Sequence, residues 1–396
     1  MSSNKQTAVI VIATYNEAGS VTEMMDVLFN KTIPSIKNWD CKVLIVDDTS
    51  PDKTYEIVQK LQKKYSELYL VINPVKLGMG NAIVKGFHYA IDKLQADVLV
   101  EFDCDFQHPP SDIPKLLAEV DNGFDFVIGS RKIAGGSVPE VWGLKRKFFT
   151  YVGGFTSRFI MFFPFKPFFA VTDPTTGLRA SRVKNFVDKI DLDHLYSLKF
   201  GYKIELLFRM IQLKAKFKEI PLQFGLRETG ESKIAKDTAK DILFVSIKCR
   251  WFDEFTQKFL KFGLVGGFGF VVNVVGAMLF KKMLITADSN ISLLNGLTNA
   301  MASELAIISN FTFNNIWTFA AEKIASPKVL ITKFVTFNLS SLVTGILIPS
   351  VVISILTSIF GDYLFVYQII AIFGLTIPLN WFVYNKFIWK KKQLAK

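Results

Sequence analysis

A chain of 396 residues, half of them hydrophobic and with a formal charge of +12, is too long for one small core, and at roughly 150 residues per domain it holds two or three units. Its 3 cysteines, Cys41, Cys104 and Cys249, are odd in number and widely spaced, which argues against a disulfide framework, and its 3 histidines, His88, His108 and His194, form no metal-spaced pair, which argues against zinc. The basic residues lie beside apolar stretches, not on an aromatic base-reading sheet, so the charge indicates attraction to anionic lipid and anionic substrate, with no nucleic-acid partner.

The short polar amino-terminal lead has no apolar core of the secretory kind, and the amino terminus is expected on the cytoplasmic side. The first strand-like run, Ala8 to Ala13, ends in Thr14-Tyr15-Asn16-Glu17. Tyr15 and Glu17 fit either a ligand contact or a helix entry. A second run, Val43 to Val46, ends in Asp47-Asp48-Thr49-Ser50-Pro51-Asp52. Ser50 or Asp52 suits the cap of a helix beginning near Lys53, whereas Asp48, at the strand tip, is placed to meet the base or ribose of a nucleotide. The third run, Leu68 to Ile72, leads to Lys76-Leu77-Gly78-Met79-Gly80, which lacks the Lys-Thr of a P-loop; Lys76 stands either against a nucleotide or on the surface.

A further run, Val98 to Phe102, ends in Asp103-Cys104-Asp105-Phe106-Gln107. Helical patterns separate the runs, so the alternation predicts a parallel sheet whose ligands bind outside the strand carboxyl ends. Acidic motifs distant in sequence then share one cleft. Carboxylates so gathered call for a cation, and hard oxygens from Asp103, Asp105 and the Gln107 amide suit Mg2+ or Mn2+ carrying a diphosphate. Gly129-Ser130-Arg131 closes a strand over Phe124 to Ile128, and a Gly- and Ser-containing loop runs from Arg227 to Lys233. Basic residues there would either steady a departing nucleoside diphosphate or simply be solvated loop charges.

From Lys145 to Pro164, cations alternate with phenylalanines in a composition suited to the headgroup region, and Asp241 to Phe255 is a second such stretch; either also fits an ordinary core helix. Beyond Phe259 the chain turns apolar. Phe262 to Phe280 carries no charge and, at about 1.5 Å per residue, nearly covers the roughly 30 Å of hydrocarbon. Leu293–Ala320, Phe334–Phe360 and Leu364–Trp389 follow, the second with Glu304, Asn310, Asn314 and Asn315, which also fits a re-entrant or protein-covered helix. Lysines at 323, 328, 386, 390, 391, 392 and 396 place both termini and the catalytic part on the cytoplasmic side of a multi-pass protein, with Lys281 and Lys282 in minor conflict.

The ordered series Thr14-Tyr15-Asn16-Glu17, Val46-Asp47-Asp48-Thr49-Ser50-Pro51-Asp52, Asp103-Cys104-Asp105-Phe106-Gln107-His108-Pro109-Pro110, Gly129-Ser130-Arg131, Trp142 to Lys147 and Asp173-Pro174-Thr175-Thr176-Gly177-Leu178-Arg179 resembles the dolichol-phosphate mannose synthases, inverting family 2 glycosyltransferases of GT-A fold. The carboxyl part resembles a GtrA-type membrane domain, through Phe262-Gly263-Leu264-Val265-Gly266-Gly267 and the paired span ends Asn314-Asn315-Ile316-Trp317 and Asn385-Lys386-Phe387-Ile388. The implied architecture is an α/β, Rossmann-like catalytic domain over residues 1–235, an interfacial amphipathic connector over 236–257 and a transmembrane domain of four helices over 258–396.

The resemblance implies GDP-mannose as donor and dolichyl or another polyprenyl phosphate as acceptor. It implies that Tyr15, Glu17, Val46 and Asp48 contact the nucleoside, that Asp103, Asp105 and Gln107 hold Mg2+ or Mn2+, and that Arg227 and Lys233 hold the diphosphate. Ala13, Lys76 and Cys104 fall in the same nucleotide-sugar group, with Ala13 where the family commonly has Pro and Cys104 where it commonly has Ala. Arg131, Arg146 and Thr150 would receive the lipid phosphate, and Asp105 and Arg131 would carry catalysis. A lipid monophosphate, with a second pKa of about 6, is already ionised at neutral pH, so such a reaction needs no general base. Two alternatives stand beside this one: a UDP-glucose-dependent polyprenyl-phosphate glucosyltransferase, and a lipid-sugar translocase with a sensor domain.

Overall fold

The computed structural model describes residues 5–226, 237–284, 291–361 and 363–390. The chain forms two compact units, Met1–Trp251 and Phe252–Lys396.

In the first unit a seven-stranded sheet runs in the order β3-β2-β1-β4-β6-β5-β7. Its strands are β1 (Gln6–Thr14), β2 (Trp39–Asp47), β3 (Leu68–Ile72), β4 (Val98–Phe102), β5 (Phe126–Ser130), β6 (Arg179–Arg182) and β7 (Phe217–Pro221). β1 pairs in parallel with β2 and β4, β2 with β3, and β5 with β7, while β6 is antiparallel to β4 and β5. Every strand but β6 therefore ends on the same edge, and β6 begins there.

Both faces of the sheet are covered, which is why the central parts of β1 and β2 read as apolar runs. Ala8, Ile10 and Ile12 of β1 enter one core, with Met24 of α1 (Val21–Val27), Val58 of α2 (Thr54–Leu61) and Leu116 of α4 (Ile113–Asp121). Val9 and Val11 enter the other, with Phe87 of α3 (Met79–Asp92) and Leu207 of α8 (Tyr202–Gln212). Gly86 lets α3 lie close to the sheet, since a Cβ there would sit 2.5 Å from Val11 Cγ1.

The segment from Lys145 to Pro164 forms α5 (Leu144–Phe148), a wide turn, and α6 (Gly154–Phe162), followed by α7 (Lys166–Ala170). α6 anchors through buried Met161 and Phe162, and the segment leaves Phe148, Phe149, Phe155, Phe159 and Phe163 exposed. α9 (Thr238–Trp251), within the expected connector, packs on the first unit. Val245, Ser246 and Cys249 are buried, and Asp241 accepts from Ser197 Oγ at 2.6 Å and Gly201 N at 2.6 Å. Its Leu243, Phe244, Ile247 and Trp251 remain exposed.

The second unit is helical among its described residues. Three helices are long and apolar enough to cross a membrane, Glu254–Leu284, Pro327–Phe360 and Val366–Ile388. A further helix, Ile291–Phe313, carries Glu304 and Asn310 of the second expected span, with Asn314 and Asn315 in the turn that follows it. Ser303 accepts from Asn273 at 3.0 Å, and Glu304 accepts from Asn338 Nδ2 at 2.7 and 2.9 Å. Asn315, in the wide turn that follows, accepts from Trp389 Nε1 at 2.9 Å and Ile324 N at 2.8 Å, so the two similar span ends recognised in the sequence are joined. Trp389 stacks on Phe319 at 4.5 Å.

Candidate active site

The loops at the common strand edge are built by side chains that take up backbone amides. Asp47, wholly buried, accepts from Thr14 Oγ1 at 2.8 Å, Ser50 N at 2.8 Å and Ser50 Oγ at 2.6 Å. Asn16 N bonds Ser50 Oγ at 3.0 Å, Glu17 N bonds Thr54 Oγ1 at 3.0 Å, and Ala18 N bonds Asp52 Oδ2 at 2.9 Å. The first two motifs are thereby zipped together, with Asp47, Ser50 and Asp52 as scaffold. Glu17 is buried and accepts from Ser20 Oγ at 3.1 Å. Val46 belongs to the core, Ala13 packs partly buried against it, and Lys76 Nζ stands 3.6 Å over the Tyr15 ring. Asp48, 3% exposed, accepts from Asn73 Nδ2 at 2.6 Å and Gly78 N at 2.7 Å.

At the end of β4, Asp105 is nearly buried and its Oδ1 accepts from Gln107 N at 3.1 Å. Cys104, between the aspartates, points into the core, where burial pushes its thiol pKa well up, so it brings no reactive sulfur to the cleft. Gln107 is tied to the loop after β7: Gly225 N bonds its carbonyl at 2.8 Å. His108 Nδ1 lies 3.3 Å from Asp103 Oδ2 and is buried with no hydrogen-bond partner among the described residues. Behind it, Lys203 Nζ pairs with Glu101 Oε1 at 2.8 Å, both nearly inaccessible, and Tyr202 Oη donates to the same oxygen at 2.7 Å. Gly177 makes room for this cluster, since a Cβ would sit 2.7 Å from Lys203 Nζ and 3.2 Å from Asp103 Oδ2.

Burial pushes the His108 pKa down to about 3, against the pull of Asp105. An unfolded chain protonates this ring near 6.5. Between those values the unfolded state binds the extra proton, so the unit should lose stability as pH falls from about 6.5 toward 3. Thermal melts across that window should show a shallower acid slope for His108→Gln than for the unaltered chain.

Beyond β5, Arg131 donates from Nε to Asp173 Oδ2 at 2.6 Å and from Nη2 to Asp173 Oδ1 at 2.7 Å and Thr175 Oγ1 at 2.9 Å. Burial alone would raise Asp173, but Arg131 outweighs it and holds the carboxylate well below its usual range. The Asp173 loop is fixed from below by Arg179, whose guanidinium donates to the carbonyls of Thr176, Lys203 and Pro174. Glu219 of β7 accepts from Thr172 N at 2.8 Å and Asp173 N at 3.1 Å. Phe224, after β7, meets the His108 ring at 5.2 Å, the Trp142 ring at 5.5 Å and the Arg131 guanidinium at 5.5 Å, and Arg146 stacks on Trp142 at 3.6 Å. One aromatic spine thus brings Asp103, Arg131 and Arg146 together. Thr150 Oγ1 donates to Arg146 O at 2.9 Å. Arg227 and Lys233 lie outside the described residues.

By chemical kind, the donors at the end of β4 are those a hard divalent cation takes, while no group of three or more His, Cys, Asp or Glu side chains among the described residues is gathered closely enough to hold one by itself. Two carboxylates and an amide offer oxygen, and the partnerless imidazole nitrogen beside Asp103 is the kind of outer group that orients a ligand carboxylate. The Asp173 motif is legible in the sequence, but its ion pair with Arg131 is not. The role of Asn73 is not legible either; its only signal is an Asn-Pro step after β3.

An α/β sheet with acidic and basic loops on one edge, joined to a helical part with membrane-length apolar helices, defines a membrane-attached GT-A glycosyltransferase. Residues 9–181 match the family described as Glycosyl transferase family 2, and residues 261–389 match the GtrA/DPMS transmembrane domain. The chain is 30% identical over 373 residues to the dolichol-phosphate mannosyltransferase of Pyrococcus furiosus, covering 94% of this chain and 97% of that one. It is 33% identical over 225 residues to the undecaprenyl-phosphate mannosyltransferase of Micrococcus luteus, covering 57% and 86%. Against the polyprenol monophosphomannose synthase of Mycolicibacterium smegmatis it is 30% identical over 240 residues, covering 60% and 85%. The chain belongs to the dolichol-phosphate mannosyltransferase family within glycosyltransferase family 2, and it is an enzyme.

Proposed function

We propose that this enzyme transfers mannose from GDP-mannose to dolichyl or another polyprenyl phosphate with inversion at the anomeric carbon. The observation that carries the reading is the spine through Phe224 and Trp142, which sets Arg131 and Arg146 beside the Asp103 end of β4, and the names of the relatives support mannose and a lipid phosphate. An oxygen of the ionised lipid phosphate attacks the anomeric carbon as the bond from that carbon to the diphosphate oxygen breaks. Arg131, Arg146 and Thr150 hold the acceptor, and the electron pair leaves with the nucleoside diphosphate, which Arg227 and Lys233 steady. Asp103, Asp105 and Gln107 would hold Mg2+ or Mn2+, whose charge stabilises the leaving diphosphate. Tyr15, Glu17 and Asp48 face the nucleoside, while Val46, its side chain wholly buried in the core, could offer it main-chain groups alone.

The exposed phenylalanines of α5 and α6 are read as a face that lies in the headgroup region, where a polyprenyl phosphate presents its charge. The carboxyl part is proposed to cross the bilayer four times, with both termini and the catalytic part cytoplasmic. The test uses full-length protein in detergent with Mn2+, dolichyl or undecaprenyl phosphate, and either GDP-mannose or UDP-glucose. Transfer from GDP-mannose at least tenfold faster than from UDP-glucose is expected. The reverse order would replace this reading by a glucosyltransferase, and product from neither donor would remove it.

A further inference from the structure

Asn73 is wholly buried and uses its side-chain amide at both ends. Its Nδ2 donates to Asp48 Oδ1 at 2.6 Å, and its Oδ1 accepts from Lys85 Nζ of α3 at 2.7 Å. Its backbone N–H donates to Asp47 O at 2.8 Å, and Thr49 Oγ1 donates to its carbonyl. The other Asp48 oxygen accepts from the amide of Gly78 at 2.7 Å, at the turn where φ is +93° and α3 begins. Each carboxylate oxygen can accept twice, so this arrangement holds both oxygens of Asp48 and leaves each a second acceptor direction.

We propose that Asn73 and Lys85 are positioning residues for the donor, a relay from the Lys85 ammonium through the Asn73 amide that fixes the Asp48 carboxylate to accept a hydrogen bond from the ribose or base of the nucleotide. The proposal rests on the reading of Asp48 as a nucleoside contact. The physical grounds are these. A lone carboxylate on a strand tip has free rotation about its side chain and loses it on binding; here two short bonds have already removed that freedom. The ammonium behind the amide polarises Nδ2–H toward Asp48, which strengthens that hydrogen bond. An amide suits the middle because its oxygen accepts from Lys85 while its nitrogen donates to Asp48. Lys76, two residues before the Gly78 turn that Asp48 pins, stands over the Tyr15 ring.

The experiment measures GDP affinity by calorimetry, and donor KM, acceptor KM and kcat, on full-length protein in detergent. Asn73→Ala should weaken GDP and raise donor KM about tenfold, the scale of one charge-assisted hydrogen bond, with acceptor KM and kcat within about twofold. Asn73→Asp, though the same size, should be worse than Asn73→Ala, because it sets two carboxylates face to face. A merely space-filling role predicts the opposite order. Lys85→Met should cost about threefold in GDP affinity, and adding it to Asn73→Ala should cost nothing more. If Asn73→Ala does not fold, Lys85→Met, at a partly exposed helix position, carries the test alone. GDP affinity unchanged in Asn73→Ala or, failing that, in Lys85→Met overturns the relay, as does Asn73→Asp milder than Asn73→Ala. Asp48→Ala serves as the control: if it too leaves GDP affinity unchanged, the nucleoside reading of Asp48 falls with the relay, whereas if it alone weakens GDP, only the relay falls.

Discussion

Asp105→Asn is expected to lower transfer by about a thousandfold or more while the protein stays folded. The side chain sits at the end of β4, 6% exposed, with Oδ1 accepting from Gln107 N at 3.1 Å. An asparagine oxygen keeps that bond and the shape of the loop, so the loss is one of charge alone. Removing one hard carboxylate from a set of two carboxylates and an amide takes away much of its hold on a divalent cation, and with it the compensation of the leaving diphosphate. The melting temperature should shift little, and titration of Mn2+ should show the weakened site directly. A folded Asp105→Asn protein with ordinary turnover would sink the assignment of the β4 end as the metal site.

How much of this was legible before the fold was seen depends on what kind of fact it is. β3 and β4 agree with the runs Leu68–Ile72 and Val98–Phe102 to the residue; every position of β4 is buried, Glu101 included through its pair with Lys203, whereas β3 lies at the sheet edge with only Leu68 buried. The gathering of the first, second and fourth strand ends followed from the same alternation, and the register sets Thr14 beside Asp47 and Ile12 beside Phe102. β5 begins two residues later than its apolar run suggested, since Phe124 N still closes the preceding helix on Glu119 O. β6, with the sequence Arg-Ala-Ser-Arg, carries no apolar alternation, and its place is fixed by pairing with two neighbours instead of by its own pattern. Partners across the sequence were the least legible. The residue types of Asp48, Arg131 and Glu101 announce what they can bond, but Asn73, Asp173 and Lys203 become their partners only when loops 25, 42 and about 100 residues away arrive at the same edge.

Arg131→Ala should both destabilise the catalytic unit and lower transfer by about a hundredfold or more, and the two effects have separable causes. The guanidinium makes a two-pronged pair with Asp173 at 2.6 and 2.7 Å, and that carboxylate is wholly inaccessible to water. Deleting the arginine strands a buried charge, which costs on the order of 3–5 kcal/mol, so the melting temperature should fall. Arg131→Lys keeps the charge but not the planar fork and should recover part of the stability with little of the activity. Arg146→Ala removes a cation stacked on Trp142 and should raise acceptor KM severalfold with a small change in melting temperature. Measured on folded protein, both arginine variants should require far more polyprenyl phosphate than GDP-mannose to reach half-maximal rate. If the donor requirement rises instead, these arginines belong with the diphosphate, and the acceptor must be held elsewhere.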